Sequence, residues 1–120
     1  MSEGPETRLV KAIRDYITKH YPDAWFFKVH GSPYQTAGTP DVLVCVGGHL
    51  FAMEAKAQRQ RESVAAALGR VSLVQQIQLK RLLRAGATVG VVLSVEDAAG
   101  LLEGRWSGSE GAWHVSQGSA

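Results

Sequence analysis

Residues Gly38–Gln58 read GTPDVLVCVGGHLFAMEAKAQ, and the reading of this stretch decides the fold. Two runs rich in β-formers, VLVCV and HLFAMEAK, flank the pair Gly47-Gly48. A Gly-Gly pair between two such runs predicts a β-hairpin, because primed turns need positive φ, which glycine adopts at little cost. Counting outward from a two-residue loop sets Val46 opposite His49, Cys45 opposite Leu50, and at the far end Asp41 opposite Glu54. An odd-length loop would turn Asp41 to the other face. Opposed residues in an antiparallel pair have Cβ atoms roughly 5 Å apart, and like charges placed there repel. Lys56 projects from the same face as Glu54, about 6.6 Å further along.

Two carboxylates meeting at a strand end suit a hard divalent cation such as Mg²⁺, and a lysine beside them can hold or polarise an attacking water. The plainer account is a carboxylate–lysine salt bridge on an exposed sheet edge. Against it, both faces of the hairpin are apolar: Val42, Val44, Val46, Phe51 and Met53 on one, Leu43, Cys45, Leu50 and Ala52 on the other. Strands of that kind are covered on both sides. Charges buried there without compensation are costly.

At these residues the chain resembles the PD-(D/E)XK nuclease superfamily, and within it the VRR-NUC group. The resemblance covers GTPD (Gly38 to Asp41), MEAK (Met53 to Lys56), S-x-x-Q (Ser72 to Gln75) and LLRAGATVGVVLSVEDA (Leu82 to Ala98). It implies an α/β fold with a restriction-endonuclease-like αβββαβ core, a mixed sheet flanked by helices. It also implies a metal-dependent endodeoxyribonuclease in which Asp41, Glu54 and the backbone carbonyl of Ala55 hold Mg²⁺ or Mn²⁺. Lys56 would activate water, and Gln75 would point into the site. Stand-alone members resemble Holliday-junction resolvases, which implies branched DNA such as four-way junctions as substrate, a role in DNA repair and a homodimer. The alternative is a non-cleaving nucleic-acid-binding module of the same fold in replication or repair.

The rest of the chain is read around this centre. Its 120 residues, 45% hydrophobic and 20% charged, fit one globular domain, expected over 1–104 and followed by a Gly/Ser-rich tail over 105–120. The tail's Trp106, Trp113, His114 and Val115 can dock on the body or on a second subunit, and the last five residues are expected to lack order. A formal charge of +2 permits nucleic-acid binding without announcing it. Cys45 is the single cysteine, which excludes an internal disulfide and a multi-cysteine zinc site. No signal-peptide pattern opens the chain, and no apolar run approaches the roughly 18 residues of a membrane span. The expectation is a cytoplasmic protein of a bacterial or phage-infected cell.

Pro5 starts a helix whose apolar residues Leu9, Val10, Ile13, Tyr16 and Ile17 share a face, ending near His20. Glu6 in its first turn either complements the helix dipole or, as the resemblance implies, joins Asp41 and Glu54. WFFKVH, Trp25 to His30, predicts the first strand, with His30 at its end. His30 there either reaches a nucleic-acid substrate or is simply solvated, and Tyr34, on the loop before Asp41, either stacks on a nucleotide or belongs to an ordinary surface loop. Gln58 would continue the face of Glu54 and Lys56 if that strand persists. From there Gln58 would contact a phosphate or a metal-bound water; Arg59, Arg61 and Arg70 either grip backbone phosphates or form a solvated charged face. Ser72 to Gln75 is a capping box opening a helix that stops at Gly86. Thr88–Ser94 is a buried strand, and Ser94 caps a last short helix.

Overall fold

The computed structural model describes residues 3–31 and 36–118. Its elements are α1 (Pro5–His20), β1 (Trp25–Lys28), β2 (Val42–Val46), β3 (His49–Ala55), α2 (Val64–Leu68), α3 (Leu73–Arg84), β4 (Thr88–Val92), α4 (Val95–Leu102) and a 3-10 turn over Val115–Gln117. The expected αβββαβ order is present, with α2 as an addition. Five residues are too few for a periodic pattern. Only Ser63, whose hydroxyl accepts from the Ala66 amide at 3.0 Å, marks where α2 starts.

One four-stranded sheet has the order β1-β2-β3-β4. The first three strands are antiparallel, and β4 runs parallel to β3 after the helical crossover. Gly47 and Gly48 both take positive φ, 56° and 82°, so the loop has two residues. The ladder then runs Val46 opposite His49 through Val42 opposite Met53, in the counted register. Asp41 sits one residue beyond its last rung, level with Glu54.

The register divides the side chains between two cores, one on each face of the sheet. Val42, Val44, Phe51, Met53 and Ala55 pack with Val10, Ile13 and Ile17 of α1 and Ala98 and Leu101 of α4. Ala52, Val89 and Val91, with Leu43 and Leu50 at the margin, pack against Leu79 of α3. Glu54 alternates with Met53 and Ala55, so it shares the α3 face with Ala52. Only this register puts a carboxylate inside that face.

The loop before β2 is pressed against the start of α3. Gly38 has φ +81°, and a Cβ there would lie 2.5 Å from the Val74 carbonyl oxygen. Gly38→Ala is therefore expected to cost about 2 kcal/mol or more in unfolding free energy, since both the backbone conformation and the contact are unfavourable. Urea denaturation should show a lower midpoint with unchanged slope.

The stretch from Arg105, set apart from the domain in the sequence, lies along the outer edge of β4. The Gly108 amide donates to the Val89 carbonyl at 2.8 Å and the Val91 amide to the Trp113 carbonyl at 2.7 Å. Those bonds cover an otherwise open sheet edge. The Trp106 indole donates to the Asp97 carbonyl at 2.9 Å, and its ring lies over Gly90 and Gly100. His114 is buried, its Nε2 2.7 Å from Asp97 Oδ2. Ser116 and Gln117, expected to be without order, form the 3-10 turn, while residues 119–120 lie outside the described part. Among the described residues no helix is long and apolar enough to cross a membrane.

Candidate active site

Three side chains meet where β2 begins and β3 ends. Glu54 is the next-to-last residue of β3, 1% exposed. The half-buried Asp41 turns one carboxylate oxygen, Oδ2, to accept from the Ala55 amide at 3.1 Å. Lys56 leaves the sheet with its amide bonded to the Val92 carbonyl at 3.0 Å, and its Nζ stands 3.8 Å from Glu54 Oε2. The other Glu54 oxygen, Oε1, is buried and has no hydrogen-bond partner among the described residues. A cleft of about 140 Å³, walled by Val29, Gly38 and Thr39, opens on Asp41.

Burial, first, and then the hydrogen-bonding proximity and charge of Asp41 push the Glu54 carboxyl up from 4.5 to about 9, while Lys56 pulls it down. Glu54 by itself thus holds a proton at neutral pH. Its folded pKa is raised, so the stability it confers is complete below about 4.5 and is lost as pH rises toward 9. A partnerless buried oxygen beside a second carboxylate is the environment that a divalent cation would relieve. The donor set fits a hard ion, with oxygen ligands and no competing imidazole or thiolate.

The fold that carries these residues has relatives among solved structures. A VRR_NUC domain structure superposes with a TM-score of 0.62, covering 87% of this chain and 100% of that one at 21% identity. A second VRR_NUC domain protein gives 0.59, covering 87% and 89% at 13% identity. This is the VRR-NUC fold. Archaeoglobus fulgidus Hjc, a Holliday junction resolvase from an archaeal hyperthermophile, is similar with a TM-score of 0.50, covering 73% of this chain and 67% of that one at 21% identity. No family profile matches the sequence, and neither does any curated protein.

Within the VRR-NUC fold the other candidate residues are placed as follows. Glu6 does not join the carboxylate pair: its Oε1 accepts from Arg70 Nη1 at 3.2 Å. It is still near enough to add to the upward push on Glu54. Among the described residues no three His, Cys, Asp or Glu side chains converge as a metal cluster, so the pair stands as two. Arg70 is not free to grip phosphate. Its fork closes on Glu62, with Nε to Oε2 and Nη2 to Oε1 both 2.9 Å, and Nη2 also donates to the Ala57 carbonyl at 2.7 Å. That fork holds the Glu62 carboxyl down at about 2.

Gln58 does not continue the active face, because β3 ends at Ala55 and its side-chain amide turns back to donate to the Glu62 carbonyl at 2.8 Å. Gln75 forms the capping box, its Oε1 accepting from the Ser72 amide at 2.9 Å, which leaves its amide hydrogens available. Arg59 and Arg61 are exposed and form no ion pair among the described residues. Arg59 borders a cleft of about 270 Å³ at the first turn of α1 with Glu6 and Ala57. His30 is exposed just past β1, and Tyr34 lies outside the described residues.

Sequence reasoning did not single out Glu62. Its position, one residue before the Ser63 cap and three after Arg59, is the only local trace of its role; the Arg59 amide donates to its Oε1 at 2.9 Å. Together Glu62 and Arg70 fix the path of the chain just beyond Lys56. Arg70→Ala is expected to lower the melting temperature, since it removes the guanidinium whose bonds hold Glu62 and the Ala57 carbonyl. Arg70→Lys should restore only part of it, because an ammonium cannot reproduce the two-pronged contact. Thermal unfolding of the two variants tests this.

Proposed function

We infer that this protein is a divalent-metal-dependent endonuclease hydrolysing phosphodiester bonds in DNA. The observation that carries the reading is the buried Glu54 carboxyl with its partnerless Oε1, set beside Asp41 and within 3.8 Å of the Lys56 ammonium. Asp41, Glu54 and the Ala55 carbonyl would hold Mg²⁺ or Mn²⁺. Such an ion would supply Lewis acidity to activate water and to offset negative charge at the scissile phosphate. The chain's own residues do the rest. Glu54 would have to be ionised to hold the ion, and Asp41 keeps its orientation through the Ala55 amide. Lys56, tethered at the sheet's end, presents N–H donors to the attacking water or a phosphate oxygen.

The likeness to VRR_NUC domains and to a junction resolvase supports this reading at the level of fold. It also motivates the finer proposal of branched DNA as substrate and a homodimer as the working form. One site cuts one strand, so paired incisions across a junction need two sites related by a two-fold axis. A second reading, a DNA-binding module that does not cut, is favoured by one observation: among the described residues the site brings together two carboxylates rather than three.

The test is cleavage of a labelled four-way junction and of a matching linear duplex, each with Mg²⁺, Mn²⁺ or EDTA. Metal-dependent cutting of the junction in preference to the duplex is expected. Equal cutting of both would keep the nuclease and discard junction selectivity. DNA binding with no cutting under either metal would establish the module instead.

A further inference from the structure

The α3 face of the sheet is only half covered. Helix α3 lies over β3 and β4, leaving the β1–β2 side of the same face open. There Trp25 and Phe27 stand 55% and 43% exposed. Their rings are stacked, with centroids 5.6 Å apart and planes 4° from parallel. Two large aromatics held flat against one another in solvent present a rigid outer face. They are cross-strand neighbours of Cys45 and Leu43, so they point to the side of the sheet that bears Glu54.

Along α3 on this face runs a groove of about 380 Å³, next to the pair through Leu43, the cross-strand partner of Phe27. Leu43 and Leu50 form its floor, Thr36 and Thr39 one end, and Gln78 and Arg81 of α3 its far wall. Arg81 is exposed and forms no ion pair among the described residues. Thr36 and Thr39 also line the cleft that opens on Asp41, so the groove and that cleft adjoin the same loop. By sheet spacing, Phe27 lies roughly 12 Å and Trp25 roughly 16 Å from Glu54. Those separations amount to a few nucleotides of extended strand.

We propose that this groove and the Trp25–Phe27 pair bind an unpaired strand of nucleic acid, a nucleobase stacking on the aromatic pair while Arg81 meets a backbone phosphate. The combination of an aromatic platform, uncharged hydrogen-bonding side chains and one cation is what sequence-tolerant single-strand binding uses. A fully paired duplex has no free base to offer the platform. Among branched substrates of the site at Asp41 and Glu54, those with an unpaired segment next to the cut would accordingly be held more tightly than a four-way junction whose bases are all paired. This assignment of the groove to substrate rests on the nuclease reading, but the binding itself does not.

The test measures anisotropy of a labelled duplex with a short single-stranded tail, and of the same duplex with blunt ends, in EDTA so that nothing is cut. The proteins are wild type, Trp25→Ala/Phe27→Ala, and Trp25→Phe, which retains a stacking ring. The double variant is expected to weaken binding of the tailed duplex about tenfold or more, to leave the blunt duplex unchanged, and to keep the same mass by light scattering. Trp25→Phe should keep most of the affinity, and a low affinity shared by both alanine and phenylalanine variants would argue against stacking. Equal loss on both duplexes, or no loss on either, overturns the proposal. So does a drop in mass in the double variant, which would make the aromatic face a contact between two copies of the chain. A tail preference in a protein that cuts nothing would retain the platform and remove the nuclease, whereas metal-dependent cutting indifferent to Trp25 would do the reverse.

Discussion

Replacing Glu54 by Gln is expected to stabilise the metal-free protein above neutral pH while abolishing metal-dependent cleavage. The carboxyl sits 1% exposed against Asp41, and its pKa is raised from 4.5 to about 9. Between those values the wild type loses stability with each pH increment, because the unfolded chain releases a proton that the folded chain retains. Gln carries no such proton, and its amide can donate to Asp41. The melting temperature of wild type should therefore fall from pH 5 to pH 9 more than that of Glu54→Gln. At pH 8 the variant should be the more stable by about 5 °C or more. Mn²⁺ should reverse the order. A cation that binds only the folded site raises the melting temperature of wild type and not of the variant. That gain should grow with pH, by up to about tenfold in affinity per unit below the Glu54 pKa, because loading the site displaces its proton.

The second large effect is on catalysis. Lys56→Ala should lower the rate constant for cleavage by roughly 10²- to 10⁴-fold, the range associated with losing a positioned donor or acid–base group. Its effect on stability should be small and of the opposite sign to Glu54→Gln. Removing the ammonium 3.8 Å from Glu54 Oε2 takes away the one contribution that favours the ionised carboxyl. The Glu54 carboxyl should therefore titrate still higher in Lys56→Ala, and Mn²⁺ binding should shift to higher pH. A variant that bound DNA as wild type does and cut it equally fast would remove Lys56 from the chemistry. Single-turnover cleavage measured alongside DNA affinity separates the two cases.

The hairpin carried most of what the sequence could say. A strand's period of two makes register an arithmetic question once the loop length is known, and Gly47-Gly48 supplied it. From it follow both cores and the meeting of Asp41 with the end of β3. The capping box at Ser72 and Gln75 was equally local, with its hydrogen bonds made within three residues.

Beyond Lys56 the chain was not legible, because its path is settled by partners far away in sequence. Arg70 reaches Glu6 across 64 positions, and Glu62 draws in both Arg70 and Gln58. A basic run with no periodicity offers no sign that one arginine is consumed internally while its neighbours stay exposed. The docking of residues 108–113 on β4 is made by main-chain bonds, which a Gly/Ser-rich composition does not encode. The Trp25–Phe27 stack is a similar case. Alternation placed both rings on one side of β1, but only the position of α3 determines that this side stays open.

The most direct test of the central claim is a single comparison: cleavage of labelled DNA by wild type and Glu54→Gln with Mn²⁺ and with EDTA. Cutting by wild type in Mn²⁺ alone, with none by the folded variant, is the predicted result. Cutting that persists in EDTA, or that Glu54→Gln performs as well as wild type does, would contradict it.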